Sequence, residues 1–197
     1  MTKTLYLMRH GQTLFNKRHR IQGWCDAPLT DLGVYQAQVA GQYFKNAGIT
    51  FDAAYSSTSE RACDTLEIVT NGSLPYQRVK GLKEWNFGTF EGESEDLNPP
   101  LPYEDFFVTY GGESQDQVRE RTAATILQLM QETKGKSVLM VSHGGAMANF
   151  ARAWEDNWRL DNLGHMTNCG ILKFSFEVDQ FYLEEAIGHD FSGWEEK

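Results

Sequence analysis

Short apolar runs alternate along this chain with stretches whose apolar residues recur at helical spacing. Thr4–Met8 and Ser137–Val141 are compact and almost wholly apolar, the pattern of strands covered on both faces. Phe51–Ser56 and Tyr76–Leu82 read as further strands. Thr30 caps a predicted helix in which Ala37, Ala40, Phe44 and Ala47 share one face, and Gly48 marks its end. Other predicted helices run from about Thr58 to Val69, over Ser114–Lys134 with Val118, Thr122, Thr125 and Leu129 inward, and from Gly144 toward Trp154. Gly170–Val178 and Gln180–Ala186 read as a terminal hairpin turning at Asp179-Gln180, and the tail after Gly188 carries no clear pattern. Strands alternating with helices predict an α/β domain with a largely parallel sheet.

One segment interrupts that rhythm. Glu91–Gly112 holds three of the five prolines, in Asn98-Pro99-Pro100-Leu101-Pro102, so it cannot be regular helix or sheet throughout. Behind the prolines, Tyr103, Phe106, Phe107 and Tyr110 stand at i, i+3, i+4 and i+7. A stripe of this kind is most simply core packing, and a lid facing a substrate is the alternative.

Composition narrows the class. The 197 residues are 41% hydrophobic and 23% charged, the profile of one ordinary globular domain. No apolar run approaches a membrane span, and Leu5–Met8 runs directly into Arg9-His10 instead of forming a signal-peptide core, so a cytoplasmic location is expected. Cys25, Cys63 and Cys169 form no CxxC pair and read as reduced thiols. A net charge of -9 argues against nucleic acid as a partner. The charge is uneven, however: residues 1–25 carry Lys3, Arg9, Lys17, Arg18 and Arg20 and no acid. Such a segment is either reserved for an anion or a solvated basic loop, as Lys17-Arg18-His19-Arg20 reads by itself.

Two stretches resemble each other: Leu5-Tyr6-Leu7-Met8-Arg9-His10-Gly11 and Val138-Leu139-Met140-Val141-Ser142-His143-Gly144. Each reads as buried strand, His-Gly, then helix. Ligands of open α/β sheets bind beyond the carboxyl ends of the strands, where both histidines would emerge. Gly11 and Gly144 permit close backbone approach, and the helices beyond would offer free N–H groups to an anion. Two more strand exits lead to Arg61 and Glu84. Arginine forks match phosphoryl oxygens, so Arg9 and Arg61 would clamp the group, with Asn16 as a neutral donor. A neutral imidazole at His10 would be the nucleophile, a protonated His143 would stabilise transferring charge, and Glu84 would protonate the leaving oxygen and later activate water. A lone strand-end histidine is usually structural, and the conjunction is what points to chemistry. A zinc site among His10, His19, His143, His165 and His189 lacks ligand spacing, and no P-loop or GxGxxG is present.

These residues resemble the histidine phosphatase superfamily, also called the phosphoglycerate mutase-like family. Arg9–Asn16 resembles its RHGxTxxN signature; Gly23-Trp24-Cys25-Asp26 with Leu29-Thr30, Gly33 and Gln36-Ala37 resembles GWxDxxLTxxGxxQA. Ser56-Ser57, Arg61-Ala62 and Thr65 match SSxxxRAxxT, and Leu82, Glu84, Phe87-Gly88 and Glu91-Gly92 match LxExxFGxxEG. Ser142-His143-Gly144 is similar to its second histidine motif. The resemblance implies a three-layer α/β/α fold with a mostly parallel central sheet over one domain spanning residues 1–197, with a lid at about 91–112. It implies His10 as the phosphorylated nucleophile and Glu84 as proton donor. Arg9, Gly11, Asn16, Arg61, His143 and Gly144 would line the phosphate pocket, with Gln22 and Gly23 at its rim. The implied activity is metal-independent and cofactor-free hydrolysis of a small phosphorylated metabolite. Glu84-Trp85-Asn86-Phe87-Gly88 resembles the phosphatase version of its motif, where mutases carry His-Tyr-Gly, and the chain after Gly92 is short for a mutase insertion. Phe15 and Phe90 stand where many relatives have Trp. The alternatives are a cofactor-dependent phosphoglycerate mutase and a silent binding module, which would have no chemical need for His10, Glu84, Arg61 and His143 together. Substrate and oligomeric state are not legible.

Overall fold

The computed structural model describes residues 2–164 and 166–195. Its centre is a six-stranded sheet built from β1 (Lys3–Arg9), β2 (Ala53–Ser57), β3 (Gln77–Val79), β4 (Ser137–Ser142), β5 (Ile171–Glu177) and β6 (Gln180–Ile187), ordered β3-β2-β4-β1-β5-β6. The β1–β4, β4–β2 and β2–β3 pairs are parallel, and β5 runs opposite to the other five strands, antiparallel to both β1 and β6. The apolar runs are double-sided because both faces are covered. Leu5 and Leu7 of β1, with Val138 and Met140 of β4, pack on α4 (Gln115–Glu132) and α5 (Gly144–Arg152). Tyr6, Met8, Leu139 and Val141 pack on α2 (Asp31–Asn46) and α3 (Glu60–Val69) on the other side. The three-layer α/β/α architecture follows from that period-two division of two apolar strands.

Local signals explain the element ends. Thr30 accepts the Gly33 N–H at the start of α2, and Gly48 takes a positive φ of 65° after it. Ser114 and Gln117 form a reciprocal capping box on α4. The hairpin turns at Val178-Asp179, both with positive φ, one residue earlier than the sequence pattern suggests. A one-turn helix, α1 (Leu14–Lys17), follows the His10 loop.

Three expectations need correction. Ala47 is exposed, because α2 ends at Asn46 and the last turn leaves the core. The strand expected over Tyr76–Leu82 is three residues long and gives way to a 3₁₀ turn at Lys80–Leu82. There the Gly81 and Lys83 carbonyls turn away to the Arg121 guanidinium on α4. The aromatic stripe lies in a 3₁₀ turn, Phe106–Tyr110, where helical spacing does not collect side chains on one face. Phe107 is buried with Trp85 and Val118, Tyr103 is half-buried, and Phe106 and Tyr110 are exposed beside Phe90. Among the described residues, no helix is long and apolar enough to cross a membrane.

Candidate active site

Parallel register brings the two His-Gly motifs together. Arg9 at the end of β1 pairs with Ser142 at the end of β4, so His10 and His143 follow side by side, with ring centroids 5.2 Å apart. Gly11 allows this loop to lie on α2, since a Cβ there would stand 2.5 Å from the Gly33 carbonyl oxygen.

His10 is buried, and its Nδ1 lies 2.8 Å from the Gly11 carbonyl oxygen. A carbonyl can only accept, so the proton sits on Nδ1 and Nε2 carries the lone pair. Nε2 accepts from Arg61 Nε at 3.3 Å. Burial first, then the Arg61 and Arg9 guanidinium groups, holds the His10 imidazole well below its ordinary pKa, which keeps it neutral near pH 7.

Arg61 has no exposed surface and stands at the start of α3. Its Nη1 donates to the Cys25 carbonyl and to Asp26 Oδ1, each at 2.9 Å, and its Nη2 donates to the Gly23 carbonyl at 2.7 Å. The 23–25 loop is held in turn by Glu91, whose carboxylate accepts the backbone N–H groups of Gly23, Trp24, Cys25 and Phe87. Burial and this carboxylate push the Cys25 thiol up to about 12.

His143 is fully buried, with Nε2 2.8 Å from Ser57 Oγ and Nδ1 without a partner. Burial first, then Arg61 and His10, lowers its pKa well below the ordinary value. These surroundings favour the neutral ring over the protonated one expected from sequence. A bound phosphoryl dianion reverses the sign of the local field and favours the proton.

Glu84 arrives from the 3₁₀ turn after β3. Its Oε1 accepts from the Trp85 and Ala146 N–H groups at 2.8 and 2.7 Å, and its Oε2 from the Gly145 N–H at 2.9 Å. These contacts correct the expectation of free N–H groups at the helix starts. Glu84 itself fills the start of α5, while Thr65 Oγ1 accepts the Gly11 N–H and Gln36 Oε1 the Gln12 N–H. The Gly11, Gln12, Gly145 and Ala146 N–H groups are therefore taken, and side chains must supply much of an anion's hydrogen bonding.

A cavity of about 760 Å³ opens above this cluster, lined by Arg9, Asn16, Gln22, Glu84 and Gly144 among others. His10 and His143 are chain neighbours of its lining residues Arg9 and Gly144. Arg9 Nη1 donates to the Met166 carbonyl at 2.6 Å, while its Nε and Gln22 Nε2 are buried without partners. Asn16 Oδ1 accepts from Thr13 and Asn168, and Asn168 also donates to the His10 carbonyl. The basic N-terminal segment divides. Arg9 and Arg20 line the cavity, whereas Lys3 caps the end of α4 through the Met130 and Thr133 carbonyls. Among the described residues no group of three or more His, Cys, Asp or Glu is placed to hold a metal, and His165 lies outside them.

Sequence reasoning assigned no role to Glu91, Arg121, Asn168 or Ser57. Arg121 did carry a signal, since it shares the inward face of α4 with Val118, Thr122 and Thr125.

This fold and cluster define a phosphoryl-transfer class of α/β protein, and comparison with known proteins names it: the chain belongs to the histidine phosphatase superfamily (branch 1), whose family model matches residues 5–187. Members of that superfamily are mutases and phosphatases. A 2,3-bisphosphoglycerate-dependent phosphoglycerate mutase of Allorhizobium ampelinum is 31% identical, with 98% of this chain and 99% of the relative covered. A phosphoglycerate mutase of Bacillus anthracis superposes with a TM-score of 0.81 at 28% identity, covering 93% of this chain and 92% of that one. A phosphoserine phosphatase of Entamoeba histolytica, solved with 3-phosphoglyceric acid, superposes with a TM-score of 0.75 at 28% identity, covering 95% and 98%.

Proposed function

We propose that this protein is a phosphomonoesterase that hydrolyses a small phosphorylated metabolite through a phosphohistidine at His10. The observation that carries the reading is the His10 Nδ1–Gly11 carbonyl contact, which leaves Nε2 as a neutral nucleophile against the Arg61 guanidinium. A phosphoryl oxygen takes the Arg61 Nε–H and frees the Nε2 lone pair. Arg9, Asn16, Gln22 and His143 contribute side-chain donors to the remaining oxygens, and Gly11, Gly23 and Gly144 shape the wall around them. The P–O bond to the leaving group breaks as the N–P bond forms, and Glu84 in its acid form gives its proton to the leaving oxygen. Water then attacks phosphorus, returns a proton to Glu84 and breaks the N–P bond, and inorganic phosphate departs. The segment at 91–112 acts as a lid that selects the organic part of the substrate, supported by Leu101, Pro102 and Tyr103 at the cavity wall.

Hydrolysis is favoured over mutase chemistry because a mutase must keep its phosphoenzyme dry until an acceptor returns. Here the cavity rim is exposed, with Leu101 77% accessible. The alignment with the Allorhizobium mutase spans 219 positions against 197 residues in this chain, so that relative carries insertions this chain lacks.

Rapid quenching with ³²P-labelled substrate tests the reading. An acid-labile label on His10, absent in an inactive His10→Ala variant, is expected, together with phosphate release from p-nitrophenyl phosphate. Active His10→Ala protein would end the mechanism, and fast interconversion of 3- and 2-phosphoglycerate with negligible hydrolysis would replace the phosphatase with a mutase.

A further inference from the structure

Arg121 lies on α4, thirty-seven residues from Glu84 in sequence, and all five of its N–H donors are used on one place. Nη1 donates to the Gly81 and Lys83 carbonyls, each at 2.9 Å, and Nη2 donates to the Glu84 carbonyl at 3.1 Å. Nε and the remaining Nη2 donor grip Glu113 Oε1 and Oε2 at 2.7 and 2.8 Å. Glu113 then accepts the Asn86 N–H through Oε2 at 2.9 Å, and its carbonyl accepts Trp85 Nε1 at 2.7 Å. The backbone on both sides of Glu84 is thus bound to one rigid ion pair that is mostly shielded from water, the two side chains being 20% and 17% exposed. β3 has ended at Val79, and the chain from Lys80 to Asn86 pairs with no strand. Its other side-chain anchors are Ser142 Oγ of β4, which donates to the Leu82 carbonyl at 2.8 Å, and Trp24 Nε1, which donates to the Glu84 carbonyl at 2.9 Å.

We propose that Arg121, paired with Glu113, is a positioning residue for proton transfer: it sets the height of the Glu84 carboxyl over the phosphoryl site. The proposal rests on the reading of Glu84 as proton donor. Arginine is required because three carbonyls and a carboxylate converge from different directions on one planar fork, which a lysine ammonium with three donors on a flexible stem cannot match. A displaced acid fails selectively. An alkoxide must be protonated as it leaves, whereas p-nitrophenolate leaves without help.

The experiment compares kcat/KM for glycerol 2-phosphate and p-nitrophenyl phosphate in wild type, Arg121→Lys, Glu113→Gln and Glu84→Gln. Both substrates are assayed on the same protein sample, so the ratio is independent of the folded fraction, and kcat/KM reports the first phosphoryl transfer. In Arg121→Lys, and more weakly in Glu113→Gln, the alkyl ester should lose about tenfold or more beyond the loss for the aryl ester, a part of the ~100-fold or more that a general acid contributes. Glu84→Gln should show the same bias more strongly. Equal losses for both esters in Arg121→Lys, or no loss, beside a biased Glu84→Gln, would overturn the positioning role alone. An unbiased Glu84→Gln would overturn the acid assignment and the positioning role with it.

Discussion

Placing a single methyl group at Gly145 tests whether the position of Glu84 matters separately from the stability of the fold. Gly145 is the second residue of α5, and a Cβ there would stand 2.7 Å from Glu84 Oε1, 3.3 Å from its Cδ and 3.4 Å from Oε2. The crowded atoms are the far end of one flexible side chain, so the carboxyl gives way and the helix stays. Restoring ordinary contact requires a retreat of roughly 1 Å. That retreat weakens the bonds from the Gly145 and Ala146 N–H groups, each worth about 1.5–3 kcal/mol to a charged acceptor before water replaces it. Alanine in a helix returns about 0.5–1 kcal/mol over glycine, so the net change in stability should stay near 1 kcal/mol, a shift of about 2–4 °C in Tm. Activity should respond far more strongly, because a misplacement of about 1 Å at a reacting group can cost ~100-fold. Thermal melts beside kcat/KM for glycerol 2-phosphate measure the two effects. A Gly145→Ala enzyme that melts near wild type and keeps wild-type kcat/KM on the alkyl ester would refute the placement of Glu84 at the reacting centre.

Two further outcomes follow from the site. Both histidines have lowered pKa values in the folded protein, so between those values and about 6.5 the unfolded chain binds more protons. Stability is therefore fully present above about pH 6.5 and falls as pH drops through that window, by up to about 1.4 kcal/mol per pH unit for each histidine. Melting temperature against pH should show this slope, flattened in His143→Asn; an unchanged slope in that variant would exclude His143 as a source. Replacing residues 97–104 with a Gly/Ser linker should leave kcat/KM for p-nitrophenyl phosphate within about threefold while preference across a panel of phosphorylated metabolites collapses, since that segment holds Leu101, Pro102 and Tyr103 of the cavity wall. Retained preference would remove the lid from the account.

Both partners of the His10–His143 pair could be found in the chain because each is attached to a signal of its own. The two apolar runs before Arg9-His10-Gly11 and Ser142-His143-Gly144 can only be buried strands, and parallel strands deliver their next residues to the same edge. Arg61 and Glu84 could be placed there too, as strand exits and as parts of motifs resembling a known family. The aromatic stripe was less legible: its spacing fits an α-helix, but Phe106–Tyr110 form a 3₁₀ segment that separates Phe107 from Phe106 and Tyr110. The sequence likewise placed cations and glycines where an anion site was expected, without showing that Glu84, Thr65 and Gln36 occupy the backbone donors.

Local order alone, then, determined the strands, the helices, their caps and the two His-Gly turns, because alternation, apolar spacing and capping act between residues close together in the chain. What only tertiary structure decided was which polar atoms face one another: the His10 tautomer set by the Gly11 carbonyl, the lowered pKa of the buried His143, and the fork of Arg121 beneath Glu84. Those depend on orientation and desolvation over a few ångströms between segments distant in sequence, and neither quantity is carried by spacing along a chain.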